Sequence, residues 1–211
     1  MKEITEQKLS ELRETVLLKM SPKRFRHTAA VEEMVARLCA LYCPEMTAKL
    51  RAAALLHDVT KELTLAEQVA LSAKLGLEVK ESDLLSPKTF HARTAAATIP
   101  LEFAEFSDPV IMEAVRWHTT GHANMTLCEK LLYLADYIEA GRRFADCVAL
   151  REAFWSAEPQ KMDADARLAH LYRVLLRSFD FTLSDVEKAG GQPCLDTLAA
   201  RQDIANRLQL P

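Results

Sequence analysis

The chain has 211 residues, of which 49% are hydrophobic and 27% are charged, and its formal net charge is −3. This length and composition supply one hydrophobic core, so we expect a single domain over residues 1–211, and the slight negative charge disfavours a protein that binds nucleic acid. No apolar run approaches the roughly 18 residues of a membrane span, and the acidic residues near the N-terminus are atypical of a signal peptide. We therefore expect a cytoplasmic protein with no membrane or nucleic-acid partner.

Helix signals recur along the whole sequence. Only five glycines are present, which leaves few positions for tight turns between strands. Three segments have a capping residue before a proline: Ser21-Pro22, Ser86-Pro87 and Asp108-Pro109. Two more have the Thr-x-x-Glu spacing of a capping box: Thr64–Glu67 and Thr126–Glu129. We predict an all-α protein of about nine helices, with a core over about residues 21–155 and further helices over residues 161–209.

Helical periodicity places ionisable side chains on apolar faces. In the helix that begins at Pro22, the stripe formed by Val31, Met34 and Leu38 leads back to His27, which we therefore expect to face the interior. The same spacing turns three further residues inward on later helices: His57, which has Asp58 beside it, His118 and Asp136. Another histidine, His91, lies on a separate helical segment.

A shared site explains these residues together. Buried imidazoles and carboxylates are unfavourable unless they are hydrogen-bonded, paired or bound to a metal. Neutral imidazole nitrogen and carboxylate oxygen suit iron, manganese, zinc or cobalt, and no cysteine is needed. The sequence therefore predicts a metal site with room for two ions that share Asp58.

The order of these residues along the chain, His, His-Asp, His, His and Asp, resembles that of the HD-domain superfamily of metal-dependent phosphohydrolases. Three segments narrow the resemblance to the YqeK-type bacterial hydrolases: Leu-Leu-His-Asp-Val-Thr-Lys at 55–61, His-Thr-Thr-Gly at 118–121, and Leu-Ala-Asp-Tyr-Ile-Glu-Ala-Gly-Arg at 134–142. Members of that family are symmetrical bis(5'-nucleosyl)-tetraphosphatases, which cleave diadenosine tetraphosphate into two molecules of ADP. The resemblance covers most of residues 21–155 and implies an HD-domain helical bundle with a buried metal centre.

The resemblance also implies how the ligands are divided. It implies that a first metal is bound by His27, His57, Asp58 and Asp136. The remaining histidines, His91 and His118, then serve a second metal or the substrate phosphates. The family suggests iron, as two ions, with manganese or cobalt as substitutes.

Basic residues flank this set. Arg142 follows Gly141, and its guanidinium fork suits two phosphate oxygens. Lys61 lies one turn beyond His57, where it either donates to a phosphate or is a solvated lysine. The candidates for catalysis are Asp58, His91, His118 and Lys61, and those for substrate binding are His27, Asp58, His91, His118 and Arg142.

The leading hypothesis is a hydrolase that uses metal-activated water to cleave diadenosine tetraphosphate, a small-molecule nucleotide, symmetrically to ADP. Two alternatives keep the same ligands. One is another HD-domain phosphohydrolase, acting on a nucleotide, a cyclic nucleotide or an alarmone, and the other is a nucleotide or metal sensor without turnover. Phe154, Trp155 and the apolar last helix either complete the core or form a homodimer surface.

Overall fold

The structure is a computed structural model that describes residues 3–209, apart from the side chain of Ser82. Within this range every regular element is helical, which confirms the predicted fold class, although the chain forms eleven α-helices rather than nine. They are α1 Glu6–Leu17, α2 Pro22–Tyr42, α3 Thr47–Leu56, α4 Leu65–Lys74, α5 Glu81–Leu85, α6 Pro87–Glu102, α7 Pro109–Trp117, α8 Leu127–Ile138, α9 Ala145–Ser156, α10 Ala164–Lys188 and α11 Leu195–Arg207. None of these described helices is both long and apolar enough to cross a membrane.

The capping residues act largely as their spacing predicts. The side chains of Ser21 and Asp108 accept hydrogen bonds from backbone N–H groups in the first turns of α2 and α7. Thr64 and Thr126 form complete capping boxes at the starts of α4 and α8. Ser86 is the exception, because its side chain makes no capping hydrogen bond to α6. Short-range sequence signals therefore set the start of four helices.

The core lies between α2, α3, α7 and α8, which pack against one another, and α6 packs against α7. Fully buried aliphatic side chains fill the space between these helices: Leu38, Leu50, Leu55, Ile111 and Leu131. On the other side, α10 packs against α8, α9 and α11. The ring of Phe179 on α10 stacks on Tyr133 of α8 with centroids 4.6 Å apart. The five helices that carry the predicted ligands, or end beside them, thus surround one interior region.

The turn after α7 depends on Gly121. Its φ of +61° lies in the left-handed region, which residues with a Cβ rarely adopt. A Cβ here would lie 3.0 Å from the Met125 sulfur, 3.0 Å from the Phe179 ring and 3.1 Å from Ala200. Glycine therefore lets the chain turn between α7 and α8 in close contact with α10 and α11.

A buried carboxylate ties the first three helices together. Glu32 on α2 is only 4% exposed, and it accepts hydrogen bonds from Arg13 Nε at 3.0 Å and from Arg51 Nε at 3.0 Å. Arg13 lies on α1 and Arg51 on α3. A second bond from Arg13 measures 2.6 Å, which gives this pair the bidentate geometry typical of strong arginine–carboxylate contacts.

We predict that Glu32→Gln lowers the free energy of unfolding by about 1–3 kcal/mol, because it leaves the Arg13 guanidinium without its counter-charge and Arg51 with only the exposed Glu6 as a partner. Urea unfolding followed by circular dichroism measures the change. Glu33→Gln is the matched control, since Glu33 is exposed on the same helix, and it should shift stability by less than about 0.5 kcal/mol. Equal unfolding midpoints for the two variants would show that the network contributes nothing.

Candidate metal centre

Six ionisable residues from different parts of the fold meet in the interior. They come from α2, the turn after α3, α6, the residue after α7, and α8: His27, His57 and Asp58, His91, His118, and Asp136. We call these residues the His–Asp cluster. The shortest approaches join His27 Nε2 to Asp136 Oδ1 at 2.9 Å and His91 Nε2 to Asp58 Oδ1 at 3.1 Å. The structure thus brings together every residue that the sequence predicts as a metal ligand.

Asp58 lies at the centre of the His–Asp cluster and is only 3% exposed. His57 Nε2 and His27 Nε2 lie 3.3 and 3.6 Å from its Oδ2. His91 Nε2 and His118 Nε2 lie 3.1 and 3.8 Å from its Oδ1. Burial on its own raises the pKa of this carboxyl, but the surrounding imidazoles, His57 above all, favour its ionised form and hold the pKa well below its usual range. Asp58 is therefore an ionised carboxylate with imidazoles at both oxygens.

Two of the histidines are oriented by the helix ends on which they lie. His57 Nδ1 lies 2.6 Å from the carbonyl oxygen of Ala54, and His118 Nδ1 lies 2.6 Å from that of Val115. A carbonyl oxygen only accepts, so Nδ1 carries the proton in both rings, and each Nε2 presents its lone pair to the cluster. Each histidine directly follows the last residue of its helix, where carbonyl groups lack their usual partners. This backbone contact is the one that fixes metal-binding histidines in many proteins.

The donor set fits a divalent cation. Two groups have ligand atoms that all lie within 4.8 Å of one another, and they share one residue: His57 with His27 and Asp136, and His57 with Asp58 and His118. His57 Nε2 is buried and has no hydrogen-bond partner among the described residues, as expected of an atom reserved for a metal. Imidazole nitrogen with carboxylate oxygen suits first-row transition metals.

His91 lies at the edge of these two groups. Its Nε2 is 3.1 Å from His118 Nε2 as well as from Asp58. Lys61 Nζ donates to the Lys88 carbonyl at 2.9 Å and lies 3.3 Å from His91 Nδ1. Burial lowers the pKa of Lys61 and also lowers that of His91, to about 4. Lys61 is therefore held beside His91 rather than extended into solvent, and its role toward a phosphate stays a prediction.

An arginine neutralises each carboxylate of the cluster. Arg24 Nη1 lies 2.7 Å from Asp58 Oδ2, and Arg142 Nη2 lies 2.6 Å from Asp136 Oδ1. Arg142 Nε also donates to the Asp136 carbonyl at 2.9 Å. Burial alone raises the pKa of Asp136, but Arg142 and His27 hold it well below its usual range. The sequence predicts that Arg142 binds phosphate, and in the structure part of its guanidinium group is engaged by Asp136.

Sequence reasoning missed two residues of this site. Arg24 precedes His27 by three positions on α2, so the two share a helix face, and this spacing was the available signal. Glu139 follows Asp136 by three positions and is 2% exposed, with Oε1 3.2 Å from His27 Nδ1. Burial lowers the pKa of His27, but hydrogen bonds to Asp136 and Glu139 outweigh it and raise the pKa to about 9. Glu139 therefore orients His27 from behind.

Two cavities adjoin the cluster. The first, about 330 Å³ in volume, is the aromatic cavity, and it is lined by His118, Tyr133, Asp136, Tyr137, Phe144 and Asp185, among others. The second, about 720 Å³, is the basic cleft, and its lining includes Lys23, Arg24, Arg26, His27, Arg142 and Arg143. Arg142 and Phe144 line both cavities, so the two spaces meet beside the predicted metal ligands.

Comparison with protein families agrees with this geometry. The family model described as HD domain matches residues 24–141, more than half of the chain, and the chain belongs to the HD-domain family. The matched range contains all six residues of the His–Asp cluster.

Curated relatives narrow the similarity. The chain is 35% identical over 128 residues to a protein of Staphylococcus aureus named bis(5'-nucleosyl)-tetraphosphatase, symmetrical. This alignment covers 59% of the chain and 62% of the relative. A protein of the same name from Bacillus subtilis is 33% identical over 127 residues, covering 59% and 66%. These alignments confirm the resemblance drawn from the motifs, and they span less than two thirds of each relative's own length.

A solved structure matches almost the whole chain. It is described as a predicted HD superfamily hydrolase involved in NAD metabolism from Clostridium acetobutylicum. The TM-score is 0.81 at 29% sequence identity, with 94% of this chain and 97% of the other covered. The similarity of fold therefore extends beyond the segment that the family model matches.

We predict that Asp136→Asn lowers the affinity for manganese by about tenfold or more, because it keeps the side-chain shape but removes an anionic ligand. Metal retained after gel filtration, measured by mass spectrometry, reports the loss. Asp146→Asn is the matched control, since Asp146 accepts from Tyr137 Oη at 2.6 Å and lies outside the His–Asp cluster. A folded Asp136→Asn protein that retains as much manganese as this control would contradict the ligand assignment.

Proposed function

We propose that this chain is a metal-dependent phosphoanhydride hydrolase that cleaves dinucleoside tetraphosphates symmetrically, so that diadenosine tetraphosphate gives two ADP. The observation that carries the proposal is the buried His–Asp cluster at the place where an aromatic cavity meets a basic cleft. The names of the Staphylococcus and Bacillus relatives support the choice of substrate. We further propose iron as the metal, replaceable by manganese or cobalt, and the cytoplasm as the place of action.

The residues of the cluster suit this chemistry. Negative oxygens surround each phosphorus of the substrate and repel an attacking nucleophile, so the site must supply positive charge. A bound divalent cation would supply both that charge and an activated water. Asp58 and Asp136 would hold the metal, while Arg24 and Arg142 favour the ionised form of these carboxylates and orient them. ADP is a stable leaving group, so the reaction needs no strong general acid.

Beside the metal ligands, His91 and Lys61 form a pair that carries a positive charge toward the site. Lys61 Nζ lies 3.3 Å from His91 Nδ1, and His91 Nε2 lies 3.1 Å from Asp58. We assign His91 and His118 to a second metal or to the substrate phosphates, and Lys61 to a phosphate. His27 and Arg142 line the basic cleft and complete the predicted contacts with substrate.

The aromatic cavity suits a nucleoside. Tyr137 and Phe144 line the cavity with aromatic rings suited to stacking on a purine, and Phe144, which also lines the basic cleft, is 69% exposed. Asp146 and Asp185 supply carboxylates that accept hydrogen bonds from ribose hydroxyls and repel phosphate. The volume of about 330 Å³ lies within the range of small-molecule sites. We therefore place one adenosine here.

A second candidate substrate follows from the Clostridium structure, whose description names NAD metabolism. NAD shares the adenosine and a phosphoanhydride with diadenosine tetraphosphate but has only two phosphates. Hydrolysis of NAD would therefore use the same cluster and leave most of the basic cleft unoccupied.

The test is to incubate the protein, loaded anaerobically with ferrous iron or manganese, with diadenosine tetraphosphate and to separate the products by ion-exchange chromatography. We expect ADP as the sole nucleotide product, and Asp58→Asn should reduce turnover to background because it removes the central carboxylate. ATP together with AMP would contradict symmetric cleavage. Turnover of NAD but not of the tetraphosphate would favour the second candidate.

We predict that Phe144→Ala raises KM for diadenosine tetraphosphate by about 5- to 150-fold, because aromatic stacking on a base contributes about 1–3 kcal/mol. Steady-state kinetics of the metal-loaded enzyme measures this change. Leu101→Ala is the control, since Leu101 is 70% exposed and lines neither cavity. An unchanged KM in Phe144→Ala would remove Phe144 from the nucleoside site.

A further inference from the structure

The basic cleft carries positive charge that the rest of the protein does not neutralise. Arg24 and Arg142 are engaged by Asp58 and Asp136, but the cleft holds three other cations: Lys23, Arg26 and Arg143. Among the described residues, these three have no carboxylate within 4.0 Å of their charged groups and no side-chain hydrogen bond. The cleft is therefore a local exception in a chain whose net charge is −3.

The two acidic residues that line the cleft are both engaged elsewhere. Glu62 accepts hydrogen bonds from Ser21 N at 2.7 Å and from Ser21 Oγ at 2.6 Å. Glu139 accepts from the Gly141 N–H and lies 3.2 Å from His27 Nδ1. Neither carboxylate pairs with Lys23, Arg26 or Arg143, so these three cations remain available to an anionic ligand from outside.

The cleft is continuous with the candidate metal centre. His27 lines the cleft and also belongs to the His–Asp cluster, with Nε2 2.9 Å from Asp136. Arg142 and Phe144 line the cleft and the aromatic cavity alike. An anionic chain that begins at the metal centre therefore has a charged path away from the aromatic cavity.

We infer that the basic cleft binds the distal part of a polyphosphate chain, with Lys23, Arg26 and Arg143 as its phosphate ligands. This inference rests on the proposed function and deepens it, because it assigns the half of the substrate that the aromatic cavity does not hold. In a symmetrically cleaved tetraphosphate, two phosphates lie beyond the bond that breaks. These two phosphates and the second nucleoside would occupy the cleft of about 720 Å³.

The two cavities differ in charge, and this difference favours one orientation of the substrate, with its distal phosphates in the basic cleft. The aromatic cavity includes Asp146 and Asp185, which repel a phosphate chain, whereas the cleft attracts it. Lysine and arginine on long, exposed stems contact phosphate without demanding one exact geometry, so the cleft recognises charge and chain length more than the second base. We expect the cations to favour tetraphosphates over triphosphates, because a longer chain reaches more of them.

The test compares two triple variants that remove the same charges. The cleft variant is Lys23→Gln, Arg26→Gln and Arg143→Gln. The control is Lys74→Gln, Arg173→Gln and Arg177→Gln, which also removes one lysine and two arginines from exposed positions, here on α4 and α10. Both are loaded with manganese, and binding of inorganic tripolyphosphate is measured by calorimetry at low and high salt. Kinetics with diadenosine triphosphate and tetraphosphate follow.

We expect the cleft variant to bind tripolyphosphate at least tenfold more weakly than the control, to lose most of the salt dependence of binding, and to keep its manganese content. Its KM should rise more for the tetraphosphate than for the triphosphate. Equal tripolyphosphate binding by the two variants, with tetraphosphate still cleaved, would overturn the inference and leave the proposed function standing. Loss of tripolyphosphate binding in the cleft variant alone, with no cleavage of the tetraphosphate by the unaltered protein, would support the cleft and overturn the proposed function.

Discussion

The burial of Asp58 is the constraint on which the site depends. An isolated carboxylate in a protein interior is strongly unfavourable, so its surroundings must compensate the charge. Four imidazoles approach its two oxygens, and Arg24 Nη1 lies 2.7 Å from Oδ2. Every one of these partners comes from a helix, or a helix end, that packs in the core. The arrangement that neutralises the aspartate is therefore also the arrangement that assembles the candidate metal centre.

Helix ends give this arrangement its precision. His57 and His118 follow the last residues of α3 and α7, and each ring is held by the carbonyl three residues earlier. The same contact satisfies a backbone carbonyl and points Nε2 toward the cluster, so a feature of helix termination sets the direction of a ligand. Gly121 then turns the chain sharply toward α8, which carries Asp136. Two cavities adjoin this cluster and differ in their charged lining, with Asp146 and Asp185 in the aromatic cavity and Lys23, Arg26 and Arg143 in the basic cleft.

Much of this could be predicted from the sequence, because it is encoded at short range. Capping residues and apolar periodicity identify the helices, and the inward face of α2 identifies His27. The chain order of His and Asp residues identifies the family, which the match over residues 24–141 confirms. What sequence could not supply depends on tertiary contacts. The pairing of Arg142 with Asp136 depends on side-chain geometry, and the basic cleft combines cations from α2 and the segment after α8, more than 100 positions apart.

The most direct test of the account is anomalous X-ray diffraction from crystals of the manganese- or iron-loaded protein, recorded at the absorption edge of the metal. We predict anomalous density within the His–Asp cluster, in contact with His57 Nε2 and with at least one oxygen of Asp58 or Asp136. Density at another place in a fully loaded protein, with none in the cluster, would contradict the central claim that these buried residues form a metal centre.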